Sequence, residues 1–280
     1  MINKKYLKNL RCKEINSKNN FFFDLYNERI LDSIDILTIN FNNILILGNH
    51  SKKIYEYVQK KFKGSKITVC DFVKLNLKKK NFDNIIENII DLDLWKGEQD
   101  KYNLIISNHF LNLSNDINVV FKSIMRSLAP NGFFIATLPS ADNFYNLKVA
   151  MINTDINLYG GVYNRFEKYF ELQNITQLLR TNDFKIPIIK LEKIDLEYKN
   201  FSKLLNDVRS MQLTYSGHDK KNKFEKKDYF IELEKNYKKN LQNNFPLSTN
   251  FFVISGWKYH YSQQKPLKPG EAKNKLQDYL

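Results

Sequence analysis

Glycine is scarce, nine in 280 residues, and cysteine scarcer still, with Cys12 and Cys70 the only two. Two cysteines exclude a disulfide scaffold and a four-cysteine metal centre, and they suit a reducing compartment. The four histidines, His50, His109, His218 and His260, show no ligand spacing such as His-Glu-x-x-His, so no metal site is expected. No apolar run approaches the roughly 18 residues of a membrane-spanning helix. The start, Met1 to Leu10, is basic without the apolar core of a secretory leader. These absences predict a soluble cytoplasmic protein, with peripheral attachment to the inner membrane left open.

What is present is a substantial apolar fraction, 42% hydrophobic residues including 21 Phe and 16 Tyr, enough for a packed core. The formal net charge is +14, from 44 Lys and Arg against 30 Asp and Glu. Such a balance favours nucleic acid, anionic lipid or an acidic protein partner. Lysine is spread along the whole chain, however, without an Arg-rich helix, an aromatic RNA-binding strand pair or zinc-finger spacing. Nucleic acid therefore lacks a specific signal.

Residues 1–20 read as a polar, basic arm. From Phe21 to Ile39, the positions Phe22, Leu25, Ile30, Ile34 and Leu37 share one side of an amphipathic helix. Ile44 to Leu47 is a fully apolar strand, as a parallel sheet covered on both faces requires. Ile54, Tyr57, Val58 and Phe62 recur at helical spacing. Strands follow at Lys66 to Cys70, Asn84 to Ile90, Tyr102 to Ser107 and Phe133 to Leu138, with a helix from Ile117 to Leu128 stopped at Pro130-Asn131-Gly132. The alternation predicts an α/β, Rossmann-like fold: a mostly parallel central sheet with helices on both faces. A helical elaboration fills about 139–240, including helices at Asn143 to Met151, Ile175 to Leu179 and Leu204 to Met211. Phe184 to Leu191 is interrupted by Pro187 and predicted at a sheet edge. Phe251 to Trp257 is the last strand. A single domain over 21–260 and a flexible basic tail over 261–280 complete the plan.

Candidate chemistry collects at strand ends. Gly48 permits a tight turn, and backbone N–H groups of Gly48, Asn49, His50 and Ser51 can meet a ligand at the next helix start. Asp71 closes the second strand, where an acid accepts hydrogen bonds from both ribose hydroxyls; a cap or turn role competes. Asp91 ends the third strand beside the same crevice, with Asp93 as its rival. Asn108, His109 and Asn112 follow the fourth strand, and Asn112 and Ser114 are alternatively caps of the next helix. Tyr163 and Arg165, beside the Gly160-Gly161 hinge, suit an aromatic or anionic substrate. Asp207 and Arg209, two apart on a helix, do not face each other and contact separate neighbours.

The chain resembles the class I S-adenosylmethionine-dependent methyltransferases. The resemblance is strongest to the alphaproteobacterial and mitochondrial branch containing a respiratory complex I assembly factor described as an arginine hydroxylase. The malonyl-carrier-protein methyltransferases are more distant relatives. It is carried by Asp142-Asn-Phe-Tyr-Asn-Leu147, Gly160-Gly161 with Arg165, Asp207-Val-Arg-Ser-Met211, Gly256-Trp257 and the tail from Ser262 to Gly270. In that family the first strand runs into Asp-Leu-Gly-x-Gly-x-Gly; here the positions are Ile46, Leu47, Gly48, Asn49, His50, Ser51 and Lys52, so the acid and two glycines are replaced. The family's Leu-His-Trp becomes Leu111-Asn112-Leu113.

The resemblance implies S-adenosylmethionine as cofactor, bound by Gly48, Asn49, His50, Asp71, Asp91 and Asn108. It implies a substrate cleft at Tyr163, Arg165, Asp207 and Arg209. It further implies a protein substrate or complex I subunit as partner, and methyl transfer or arginine hydroxylation as activity. Two other classes stay open: an inactive assembly scaffold with a degraded cofactor site, and a methyltransferase for a small molecule or carrier protein.

Overall fold

Alternation along the strands sorts the core into two halves. Ile44, Ile46, Leu104, Ile106, Phe133 and Ile135 pack into one apolar cluster, while their neighbours Leu45, Leu47, Ile105, Phe134 and Ala136 pack into a second on the opposite face. Period-two side-chain direction with both faces apolar requires helices above and below the sheet. A computed structural model describes residues 1–15, 21–48, 52–77, 85–167, 169–211, 214–221, 224–239 and 242–263.

Its helices are α1 (Lys4–Ile15), α2 (Phe21–Asp35), α3 (Lys52–Lys61), α4 (Ile117–Ser127), α5 (Tyr145–Tyr159), α6 (Leu172–Thr181), α7 (Phe201–Ser210) and α8 (Lys227–Asn236). The strands are β1 (Asn43–Leu47), β2 (Lys66–Asp71), β3 (Ile85–Ile89), β4 (Tyr102–Asn108), β5 (Leu128–Pro139), β6 (Lys185–Tyr198) and β7 (Phe245–Trp257). They form one sheet in the order β3-β2-β1-β4-β5-β7-β6. All neighbouring pairs from β3 to β5 are parallel, and β7 runs antiparallel to both β5 and β6. The order reverses beside β1, leaving a crevice at the C-terminal ends of β1 and β4 where such sheets bind ligands.

Several expectations shift. The polar arm over 1–20 instead begins with α1, which docks on the domain: Leu7 and Arg11 are buried. The stop at Pro130-Asn131-Gly132 lies inside β5, where Asn131 takes a left-handed φ of 59° and the pairing jumps from Tyr102↔Leu128 to Leu104↔Phe133. That is a bulge, with local irregularity and bending rather than a break. β6 does lie at the edge, with Pro187 at its own register shift between Lys185 and Ile188. It runs on to Tyr198, beyond the Leu191 expected, because Lys and Glu alternate with apolar residues along its half-exposed length. Asp116, not Asn112 or Ser114, caps α4, accepting from the Asn118 N–H at 2.9 Å. Most of the tail expected over 261–280 lies outside the described residues.

Candidate functional site

β1 ends at Gly48, whose φ of 68° places it in the left-handed region. A Cβ there would lie 2.4 Å from Cγ of Phe110, so only glycine lets that buried ring rest against the turn. Phe110 also packs on Phe72, ring centroids 4.7 Å apart, and the Arg11 guanidinium carbon lies 5.7 Å from the Phe110 ring centre. Asn49 and His50, the other turn candidates, lie outside the described residues.

Asp71 ends β2 facing this crevice, and α1 reaches it. Arg11 Nε donates to Oδ1 and Oδ2 at 3.0 and 3.2 Å, and Nη2 donates to Oδ2 at 2.5 Å. Both side chains are buried, at 0% and 1% exposure. One turn further along the chain from β3, Asp91 and Asp93 meet Lys4 of the same helix at 2.9 and 2.6 Å. Burial pushes the Asp93 carboxyl up, but hydrogen bonds from Lys4 and Asn115 outweigh it and hold the group below its ordinary range. Asp71 and Asp91 thus both pair with one helix, and Phe110, which rests on Gly48, lies beside its Arg11. Sequence reasoning missed Lys4, Leu7 and Arg11, whose only signal is an i, i+3, i+7 stripe in a basic segment.

Asn108, a candidate cofactor contact on the sequence, turns inward. Its amide donates to Asn27 Oδ1 at 2.7 Å and to the Phe23 carbonyl at 3.1 Å, while its Oδ1 accepts from Thr137 Oγ1 at 2.8 Å. It ties β4 and β5 to α2. The Thr137 hydroxyl proton is thereby committed, so the 2.8 Å contact from His109 Nδ1 to Thr137 Oγ1 has Nδ1 donating. That assigns the tautomer and leaves Nε2 a buried lone pair with no donor among the described residues. The His109 ring stacks on Tyr26, 4.2 Å between centroids, on a backbone with φ of 46°.

Burial pushes His109 down to about 3, so its neutral form is the one that folds. Because the unfolded histidine titrates near 6.5, the unfolded chain binds more protons between these values. The stabilisation is fully present above about pH 6.5 and is lost as pH falls toward 3. Urea titrations at pH 7 and pH 5 are expected to show wild type losing roughly 2 kcal/mol that a His109→Gln variant does not lose. Equal losses in both proteins would contradict the assignment.

The second group of candidates divides. Tyr163, Arg165 and Arg209 line a cleft of about 710 Å³ together with Tyr6, Leu10 and Lys221. Arg165 is already committed: its Nε donates to Asp155 Oδ2 at 3.0 Å, its Nη2 also bonds Asp155 Oδ1, and Nη2 donates to Glu225 Oε1 at 2.9 Å. Arg209 lies over the Phe230 ring at 5.4 Å, and Lys220 over Tyr6 at 3.4 Å. Asp207 does not join them; it lines a different cleft with Tyr198 and Lys203. Burial first, and Asp207 second, raise the Tyr198 hydroxyl above its ordinary value.

Strand order, the single reversed strand β7 and a left-handed glycine followed by an acid at the end of the next strand define a class I methyltransferase fold. The chain belongs to the methyltransferase-domain family, whose model matches residues 14–187. It is similar to the mitochondrial arginine-hydroxylase NDUFAF5 of Dictyostelium discoideum, 29% identical over 271 residues, covering 88% of this chain and 62% of that protein. It is also similar to the NDUFAF5 of Homo sapiens, 23% identical over 249 residues, covering 87% of this chain and 72% of that one. Among solved structures, the YcgJ protein of a Bacillus species matches with a TM-score of 0.56 at 10% identity, covering 84% of this chain and 99% of that one, which shows the fold alone. The cytoplasmic location expected from the sequence does not stand: these NDUFAF5 relatives are mitochondrial proteins. No helix among the described residues is long and apolar enough to cross a membrane.

Proposed function

We propose that this protein acts in assembly of respiratory complex I, holding a segment of a protein subunit in the cleft beside α1, α7 and α8. The observation that carries the reading is the make-up of that cleft. Among the described residues, Arg209 and Lys220 lie against aromatic rings rather than carboxylates, and Phe224 and Tyr163 stand exposed at its walls. Cations over aromatic faces suit an acidic or aromatic peptide, with charge steering the encounter and rings supplying affinity. The likeness to the arginine-hydroxylase relatives, along nearly the whole of this chain, supports a protein partner.

The enzymatic reading is modification of that subunit, by methyl transfer or by hydroxylation of an arginine as the relatives' name gives it. Gly48 and Asp71 support it by their positions, since S-adenosylmethionine, when bound, supplies an electrophilic methyl group and its ribose wants such an acid. As described, the crevice does not fit that ribose: both Asp71 oxygens are held by Arg11, and Phe110 rests on Gly48.

Deleting the gene in its host and resolving membranes on native gels is expected to show complex I subassemblies accumulating and the mature complex falling. Wild type is expected to capture a subassembly that Arg209→Glu with Lys220→Glu captures several-fold less well. Unchanged complex I in the deletion strain would overturn the proposal.

A further inference from the structure

The geometry points to α1 as a built-in competitor of the nucleoside: docking of this helix and binding of an adenosyl ligand exclude one another. The inference rests on the fold's being one built for S-adenosylmethionine and explains why the crevice does not now accept it. A ribose at the end of β2 would hydrogen-bond both oxygens of Asp71, and the Arg11 guanidinium already bonds both. Arg11 and Leu7, at 0% and 1% exposure, lie in the body of the crevice rather than on its rim. Lys4 meets the two acids beyond β3, including Asp91, the position implied for the adenine.

The helix is moored ahead of its first turn. The Ile2 N–H donates to Asn115 Oδ1 at 2.8 Å, and the Asn3 N–H donates to the Ser216 carbonyl at 2.6 Å. An antiparallel bridge joins Ile2 to Gly217. With the mooring kept, α1 can leave the crevice and remain tethered beside it.

Two stripes divide the helix. Lys4, Leu7 and Arg11, at i, i+3 and i+7, share the face toward the crevice. Tyr6 and Leu10, at i and i+4, line the 710 Å³ cleft. A partner seated in that cleft therefore presses on the helix that stoppers the crevice, and the two sites are linked through its position. Linkage of this kind lowers the apparent nucleoside affinity by the fraction of molecules with α1 undocked.

The test uses the full chain and S-adenosylhomocysteine. Calorimetric titration compares wild type with Lys4→Ala/Leu7→Ala, which weakens helix docking without substituting either Arg11 or Asp71. Arg11→Ala is the second variant, and circular dichroism confirms that each is folded. Both variants are expected to bind about tenfold to 100-fold more tightly than wild type. In wild type, saturating ligand is expected to speed amide exchange through residues 4–11. Asp71→Ala in the Lys4→Ala/Leu7→Ala background is expected to abolish the gain. Folded variants that bind no better than wild type would overturn the inference, as would a ligand that protects α1 rather than releasing it. Loss of the complex I role would be read separately, in the deletion strain.

Discussion

Replacing Arg11 with alanine is expected to lower the unfolding free energy by about 3–5 kcal/mol, well beyond the ~1 kcal/mol of an average substitution. The reason is where the charge is left. Asp71 is 1% exposed, and without Arg11 its buried carboxylate would lose the guanidinium that bonds both of its oxygens. Arg11→Lys is expected to recover only part, because an ammonium cannot reproduce the two-oxygen contact made by Nε and Nη2. Arg11→Met combined with Asp71→Leu is expected to be neutral or stabilising by roughly 1–4 kcal/mol, since a buried pair offsets little more than its own desolvation. Lys4→Ala is expected to cost less than about 1 kcal/mol, its partners Asp91 and Asp93 being partly solvated. Urea midpoints at unchanged m-value check all four. A loss below about 1 kcal/mol for Arg11→Ala would mean that the pair does not anchor α1.

Local release of α1 sets a ceiling on that loss. If undocking the helix costs less than unfolding the domain, the variant sheds the helix and keeps the sheet. Amide exchange then rises in residues 4–11 while Ile44–Leu47 stays protected. The same substitution thus measures the strength of the stopper and the worth of the ion pair.

Much of the sheet is legible in the sequence, because β1, β2 and β4 are largely apolar runs buried on both faces, β1 running into Gly48 and β2 and β4 ending in Asp71 and Asn108. Strand ends also place Gly48, Asp71 and Asp91 about one crevice without further information. Asp207 and Arg209 separate into two clefts, as an offset of two along a helix requires. What the sequence does not reveal is whatever depends on distant partners. Arg11 is sixty residues from Asp71, in a helix whose lysines read as a solvated face. Asn108 turns inward because Asn27, 81 residues earlier, offers it an acceptor across α2. Residue type names a candidate at a strand end, but only docking decides whether a ligand or another side chain meets it.

Arg165 shows the same distinction in the second cleft, and Arg165→Ala is expected to cost about 3–5 kcal/mol of stability. Asp155 on α5 is 1% exposed; its carboxylate accepts from Arg165 Nε at 3.0 Å and from the Tyr163 N–H at 3.2 Å. Arg165 also lies 4.4 Å from the Tyr229 ring centre. Burial alone would lower the guanidinium's proton affinity, yet Asp155 and Glu225 raise it above the ordinary value. Glu225 is pushed up by burial and brought below its ordinary range by hydrogen bonds from Tyr159, Lys221 and Arg165. Its contribution is therefore present above its unfolded value of 4.5 and is lost as pH falls through the lower folded one. Glu225→Gln is expected to remove that acid-sensitive part of the denaturation curve. Arg209 differs: it is exposed and rests on Phe230, so Arg209→Ala is expected to leave stability within about 0.5 kcal/mol while weakening capture of the partner. If Arg165→Lys instead lost partner capture with stability intact, Arg165 would be a contact of the bound segment rather than the brace that holds α5 and the 225 loop around it.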